Sequence, residues 1–284
     1  MIYLFFATLI WSFSFGLIKE NLELLDPILV SAIRMFLAMI IFIPLMKIRE
    51  ISLNIKLKLM LVGAVQFGLM YIFYIYSFRY LQSYEVAVST IFTPVYISLL
   101  YAFETNKFEK KIVYLSFFSV IGAGIVIYSG ISSPLFFKGF IIIQISNLCF
   151  AWGQLKYRKI MRSITKIKDS EIFGYLYAGA FLLTLLSYIL LGKKIGIVIN
   201  HSQVLTLIYL GIIASGVAFF FWNKGVRTAK IETLSIFNNT KIPLAVTVSL
   251  LFFNEKGNLI QLLAGGIILF ALIVFAEKIP KRDV

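Results

Sequence analysis

GAVQFGLMYIFYIYSFRYL, Gly63 to Leu81, returns later in the chain as GIIASGVAFFFWNKGVRTA, Gly211 to Ala229. Laid side by side without gaps, Gly63 meets Gly211, Gly68 meets Gly216, Phe73 meets Phe221 and Arg79 meets Arg227, with Tyr74 opposite Trp222. One further residue of shift sets Pro94 against Pro243, and each proline is followed by an apolar run and a glutamate, Glu104 or Glu255. Two similar units are therefore expected. Whether they run the same way or in opposite ways depends on how many membrane crossings each contains.

The composition places the chain in a bilayer. Of 284 residues, 60% are hydrophobic and 14% charged, and the mean hydropathy is +0.93. Soluble domains are about 45–50% apolar and about 25% charged. One cysteine (Cys149) and one histidine (His201) leave no material for a disulfide framework, a Cys/His metal cluster or a histidine-based triad. The opening MIYLFFATLIWSFSFG has no basic residue ahead of its apolar run and reads as a first span rather than a cleaved leader.

A crossing helix needs about 20 apolar residues. Ten stretches qualify, at about 2–18, 27–46, 57–78, 84–103, 112–131, 136–155, 172–191, 204–223, 232–253 and 259–276. Short polar connectors separate them. The fold class read from this pattern is an all-α integral membrane protein of ten transmembrane helices, arranged as two five-helix repeats, 1–131 and 132–284. Five is odd, so the second repeat enters the bilayer inverted relative to the first.

Orientation follows from Lys and Arg. With both termini inside, the inner connectors and helix ends hold nineteen of them and the outer ones six. That distribution predicts a multi-pass protein of a bacterial cytoplasmic (inner) membrane with both termini cytoplasmic. The net charge of +14 is thus a topology signal and implies no nucleic-acid partner. The densest basic run, KYRKIMRSITKIK (Lys156 to Lys168), reads first as the cytoplasmic link between the repeats and second as an anionic-lipid patch.

Four stretches carry a resemblance to a known family: ATLIWSFSFGLIKE in span one, AIRMFLAMIIFIPL in span two, EVAVSTIFTPVYISLLYAFE in span four and LSIFNNTKIPLAVTVSLLFFNE in span nine. In this order, over nearly the whole chain, they resemble the EamA-type branch of the drug/metabolite transporter superfamily. The resemblance implies a five-plus-five inverted-repeat fold that moves small organic metabolites by alternating access. Span four is most similar to the carboxylate/amino-acid/amine transporter group. Span seven departs by lacking the arginine of span two, and Lys241 departs from the general family pattern.

Inside the spans the polar residues are few enough to weigh singly. IFNNTKIP, Ile236 to Pro243, places Asn238, Asn239 and Lys241 at mid-depth of an apolar run. A lysine at a helix centre facing lipid costs about 2.5–3.5 kcal/mol, and discharging one at neutral pH costs about 4.6 kcal/mol. A hydrated cavity removes most of either penalty, so Lys241 is expected to face inward and to receive a substrate carboxylate. Asn238, Lys241, Ala245 and Ser249 share one helical stripe; Glu85, Ser89, Phe92 and Tyr96 form another in span four. The two stripes are expected to line opposite walls of one chamber. A structural ion pair between Lys241 and Glu85 is the competing reading.

Asn238 and Asn239 divide between freed carbonyls and substrate. Ser89, Trp11, Tyr74, Tyr96, Trp152 and Trp222 complete the expected substrate-binding set; their aromatic rings suit a cation cage or a stacking wall, and otherwise simple packing. Glu85 is read as a coupling or gating carboxylate, or as an interfacial group touching water. Pro94 and Pro243 are hinge or kink positions. Arg34, matching the family's span-two arginine, is read as a structural charge that snorkels outward or caps a neighbouring helix.

These readings predict a secondary transporter for a small polar metabolite: an amino acid, a carboxylate or a related amine. Uptake or exchange of a nucleotide-like or sulfonium cofactor such as S-adenosylmethionine is the alternative, and a structural membrane protein is the reading outside transport. No G-x-x-x-x-G-K-[ST] loop occurs, so direct nucleotide drive is not expected. No bound cofactor, metal or catalytic residue is expected either. The partners are a small-molecule substrate and the lipid bilayer, and the chain is compatible with a monomer.

Overall fold

The computed structural model describes residues 1–81, 83–106, 110–126, 135–164, 166–192, 199–252 and 259–278. Among them every regular element is helical. Seven helices are long and apolar enough to cross a bilayer: α1 (Ile2–Leu22), α2 (Pro27–Leu45), α3 (Leu53–Ser77), α4 (Glu85–Thr105), α6 (Phe136–Ser163), α7 (Asp169–Leu191) and α8 (His201–Thr228). Three more, α5 (Lys110–Val126), α9 (Ile231–Phe252) and α10 (Leu259–Lys278), bring the described set to ten. The expected repeat boundary at 131/132, the side chain of Ser249 and Glu255 lie outside the described residues.

Helix starts are set by local chemistry. The Asp26 carboxylate accepts from the N–H groups of Ile28 (2.9 Å) and Leu29 (3.0 Å), with Pro27 at the first helical position of α2. Asn200 and Gln203 cap each other's backbone N–H at the start of α8. α6 runs on to Ser163, where hydropathy predicts an end near 155. The extension carries Lys156, Arg158 and Lys159, good helix formers that need no hydrocarbon around them.

The packing is two-fold in pattern. α1 lies on α8 and α9 while α6 lies on α3 and α4; α2 lies on α7 and α8 while α7 lies on α2 and α3. α4 packs on α5, α9 packs on α10, and α5 and α10 pack on each other. Exchanging each helix for the one five places along the chain reproduces this set of neighbours, whereas the packing of α9 on α5 and of α8 on α6 is not matched to the same extent by α4 on α10 and α3 on α1. Hydrocarbon offers no hydrophobic drive between helices, so close van der Waals fit has to hold them.

The repeated glycines supply that fit. A Cβ on Gly63 would stand 1.8 Å from the Leu176 carbonyl oxygen, and one on Gly179 would stand 1.9 Å from that of Met60. The backbones of α3 and α7 are therefore in direct contact. The counterpart Gly211 lies against Leu37 of α2, where a Cβ would come within 2.7 Å. Both repeat copies also contain a π-helical stretch, Ala64–Leu69 in α3 and Tyr209–Val217 in α8. Such stretches shift the carbonyl register and present groups that a regular helix would use internally.

The two repeat-related prolines differ. Pro94 follows a 3-10 turn at Thr90–Phe92 that breaks α4, whereas Pro243 sits inside an uninterrupted α9. Asn239 bridges them, donating 3.1 Å to the Ile91 carbonyl in that turn.

Because α3 and α7 touch backbone to backbone, Gly63→Ala is expected to lower the Tm in detergent, by about 1–3 kcal/mol of stability. Gly124→Ala meets open space and should leave Tm unchanged. Equal thermal stability of the two variants would refute the contact.

Candidate functional site

Seven helices converge on a small central cavity of about 60 Å³, a closed-in space below the size of an open ligand pocket. α1 contributes Trp11, Ser14 and Phe15 at helical spacing; α3 contributes Met70, Tyr71 and Tyr74; α6 contributes Ser146, Asn147 and Phe150. Arg34 from α2, Thr90 from the 3-10 turn of α4, Phe219 from α8 and Lys241 from α9 close it. Both repeats therefore build the walls.

Arg34 and Lys241 are the charged residues of this lining, and no Asp or Glu accompanies them there. Arg34 is 1% exposed. Its Nε donates to the Ser215 hydroxyl at 3.1 Å and its Nη2 to the Tyr71 hydroxyl at 2.7 Å. The guanidinium carbon also lies 3.9 Å from the centre of the Tyr71 ring. Its Nη1 finds no partner among the described residues, and neither does the buried Ser14 hydroxyl. Buried donors of this kind normally bond something.

Lys241 is 8% exposed. Its amine stands 5.8 Å from the centre of the Phe150 ring and makes no ion pair among the described residues. The competing sequence reading, a structural Lys241–Glu85 pair, is therefore not what forms.

The π-helical stretch of α8 organises the far wall. Trp11 Nε1 donates to the Ala214 carbonyl at 2.8 Å, and the Tyr177 hydroxyl donates to the Ser215 carbonyl. In the other repeat the Ser146 hydroxyl donates 2.9 Å to the Met70 carbonyl, just after the π-helical stretch of α3. Freed carbonyls thus hold the cavity's own side chains in place.

Of the residues singled out from sequence, Lys241, Trp11, Tyr74 and Arg34 reach the cavity. The others lie elsewhere. Asn238 donates 2.8 Å to the Leu234 carbonyl and meets Gln154, while Asn239 spans to Ile91 and Ser119. Ser89 donates to the Glu85 carbonyl, and Tyr96 donates to Gln144 at 3.1 Å. Trp222 is fully buried against Trp11 and Phe150, behind the wall rather than in it. Trp152 lies beside Lys156, toward the basic end.

Two expectations are corrected. Arg34 neither snorkels nor caps a helix: Tyr71 and Ser215, brought in by α3 and α8, supply the polar shell that water would have given. Glu85 is no interfacial carboxylate, since it is 1% exposed. From α4 the lining takes Thr90, in the 3-10 turn ahead of Pro94, and none of the expected stripe. Tyr71, Ser146, Asn147 and Phe219 were missed as lining. The mid-span polar pair at 146–147 was the signal available for two of them.

The comparisons agree with this architecture. The model for the EamA-like transporter family matches residues 1–128 and again 137–276. A protein described as a probable biotin transporter in Pseudomonas aeruginosa is 32% identical, with 100% of this chain and 99% of that one covered. Proteins described as biotin transporters in Salmonella typhimurium and Escherichia coli K12 are each 31% identical, with 95% and 93% of their lengths covered. One crystal structure superposes with a TM-score of 0.77 at 17% identity, covering 99% of this chain and 98% of that one. That likeness speaks to the fold alone.

The Arg34–Tyr71 bond involves a buried charge, so Tyr71→Phe is expected to cost about 1.5–3 kcal/mol. Tyr96→Phe, which removes a neutral partner of Gln144, should cost about 0.5–1.5 kcal/mol. Detergent melts of the two variants check the order; an equal or reversed loss would show that Tyr71 does not solvate the guanidinium.

Proposed function

The chain belongs to the EamA-like transporter family, and we propose that its central cavity carries a carboxylate-bearing small metabolite, with biotin as the specific cargo. One observation carries this reading: Arg34 and Lys241 both line the cavity and, among the described residues, no acidic side chain lines it with them. Two like charges in a low-dielectric space repel each other. A single carboxylate arriving between them offsets that repulsion and gives the Lys241 amine, the free Arg34 Nη1 and the Ser14 hydroxyl something to donate to.

The remaining chemistry suits biotin. Its apolar valerate chain and bicyclic body match in character the walls made by Trp11, Phe15, Tyr74, Phe150 and Phe219, which have to part to admit it because the cavity itself holds only about 60 Å³. Its uncharged ureido group needs neutral polar partners, which Thr90 and Asn147 provide. A zwitterionic amino acid or a sulfonium cofactor would bring a cation that finds no carboxylate in this lining. The relatives described as biotin transporters favour the same cargo.

In this reading transport is secondary and proceeds by alternating access between the repeats, 1–131 and 132–284. The broken α4 and the π-helical stretches of α3 and α8 are where the helices yield, with Pro94, Pro243 and Glu85 belonging to the gate. The basic end of the molecule, with both termini, faces the cytoplasm of a bacterial cell.

Counterflow in proteoliposomes tests the cargo. Labelled biotin should exchange with biotin and not with biotin methyl ester, amino acids or S-adenosylmethionine. Lys241→Gln should raise the KM for biotin about 10- to 100-fold, the range for losing one charged hydrogen bond. An unchanged KM, or exchange of amino acids without biotin, would overturn the assignment. Orientation is read separately, with single cysteines on a Cys149→Ser background. A membrane-impermeant thiol reagent on intact cells should label Leu24→Cys, at a position 94% exposed, and spare Ser163→Cys. The reverse pattern would invert the proposed topology.

A further inference from the structure

A second crevice, of about 340 Å³, opens at the basic end between the α6–α7 turn and the last turns of α8. Lys166, Lys168 and Ser170 line one side, and Phe220, Lys224 and Arg227 the other. The carboxylate within it is already committed: Asp169 accepts from the Tyr157 hydroxyl and from Arg227 Nη1 at 2.8 Å. Glu171, one turn on, takes the Lys168 backbone N–H at 2.9 Å and pairs with Lys47 at 3.3 Å. Three lysines, 166, 168 and 224, are left with no acidic partner among the described residues.

The crevice is not a vestibule of the transport cavity. On α8 the cavity-facing residue is Phe219, and Lys224, five positions on, points about 140° round the helix from it. There its amine stands 4.5 Å from the centre of the Tyr3 ring. Phe5 and Phe6, exposed on the same end of α1, continue an apolar outer wall. A cluster of cations therefore meets lipid-facing aromatics at one depth, the combination that an anionic headgroup with attached acyl chains requires.

We infer that this crevice binds the phosphodiester headgroup of an anionic phospholipid, with Lys166, Lys168 and Lys224 on the phosphate and the acyl chains along Tyr3 and Phe6. The inference is independent of the cargo. The test uses the delipidated full-length chain in detergent, titrated with dioleoylphosphatidylglycerol, dioleoylphosphatidylcholine or inorganic phosphate and followed by thermal shift and native mass spectrometry. Phosphatidylglycerol should bind and raise Tm, while the other two should do neither. K166Q/K168Q/K224Q, and separately Ser170→Asp with every lysine kept, should weaken phosphatidylglycerol binding at least ten-fold. K110Q/K111Q, which removes two exposed cations from the same end of the molecule, should change it less than two-fold. Undiminished binding in both crevice variants, equal binding of phosphatidylcholine, or an equal loss in K110Q/K111Q would overturn the site. Inorganic phosphate matching the lipid would reassign it to a free anion.

Discussion

Two cations held inside a bundle that spans hydrocarbon set the terms for the rest of this molecule. Each has to be solvated by something, and the protein answers differently for the two. Arg34 is given a shell: a phenol, a serine hydroxyl and an aromatic face, contributed by α3 and α8. Lys241 is given an aromatic neighbour and open space. The first is held rigidly by its surroundings, and the second waits on whatever enters. A guanidinium suits the first task because its planar fork uses several fixed donors at once, while a lysine's compact charge on a flexible stem suits the second.

That arrangement depends on helices approaching closely and on backbone carbonyls becoming available off the regular ladder. Gly63 and Gly211 supply the first, each seated against a helix of the opposite repeat. The π-helical stretch of α8 supplies the second, and Trp11 and Tyr177 take its carbonyls, while Ser146 takes the Met70 carbonyl just past the stretch in α3. The same segments that position the cavity walls are therefore the least regular parts of α3 and α8. A transporter benefits from this coincidence, because irregular helix is where bending costs least. The repeats are alike in this respect and unlike in α4 and α9, where one proline breaks its helix and the other does not.

Much of the fold was legible in the sequence, and less of the site. Ten apolar runs, spaced by short polar turns, became ten helices among the described residues, with α6 the main misjudged end. Lys241, expected to face inward because pointing it at lipid is costly, lies on the cavity lining. Arg34 was misread because its solvating partners come from helices distant in the chain, and no local pattern marks them. The α4 stripe does not line the cavity, and a uniform 100° step per residue does not carry across the 3-10 turn at Thr90–Phe92 to Tyr96. Trp222, plausible as a ligand platform by its repeat position, is packed behind Trp11 instead.

Sequence alone determined that this chain lives in a membrane and crosses it many times, and it set the expectation of two repeats. Hydropathy, charge bias and an odd number of spans per repeat are local or additive properties, so they can be summed without knowing contacts. Which polar side chains meet was decided only by tertiary structure. Meeting requires the relative rotation and depth of separate helices, and these are fixed by glycine contacts, π-helical stretches and a proline break whose effects accumulate over many residues. Arg34 and Lys241 lie far apart in the chain, and the fold alone places both on one cavity.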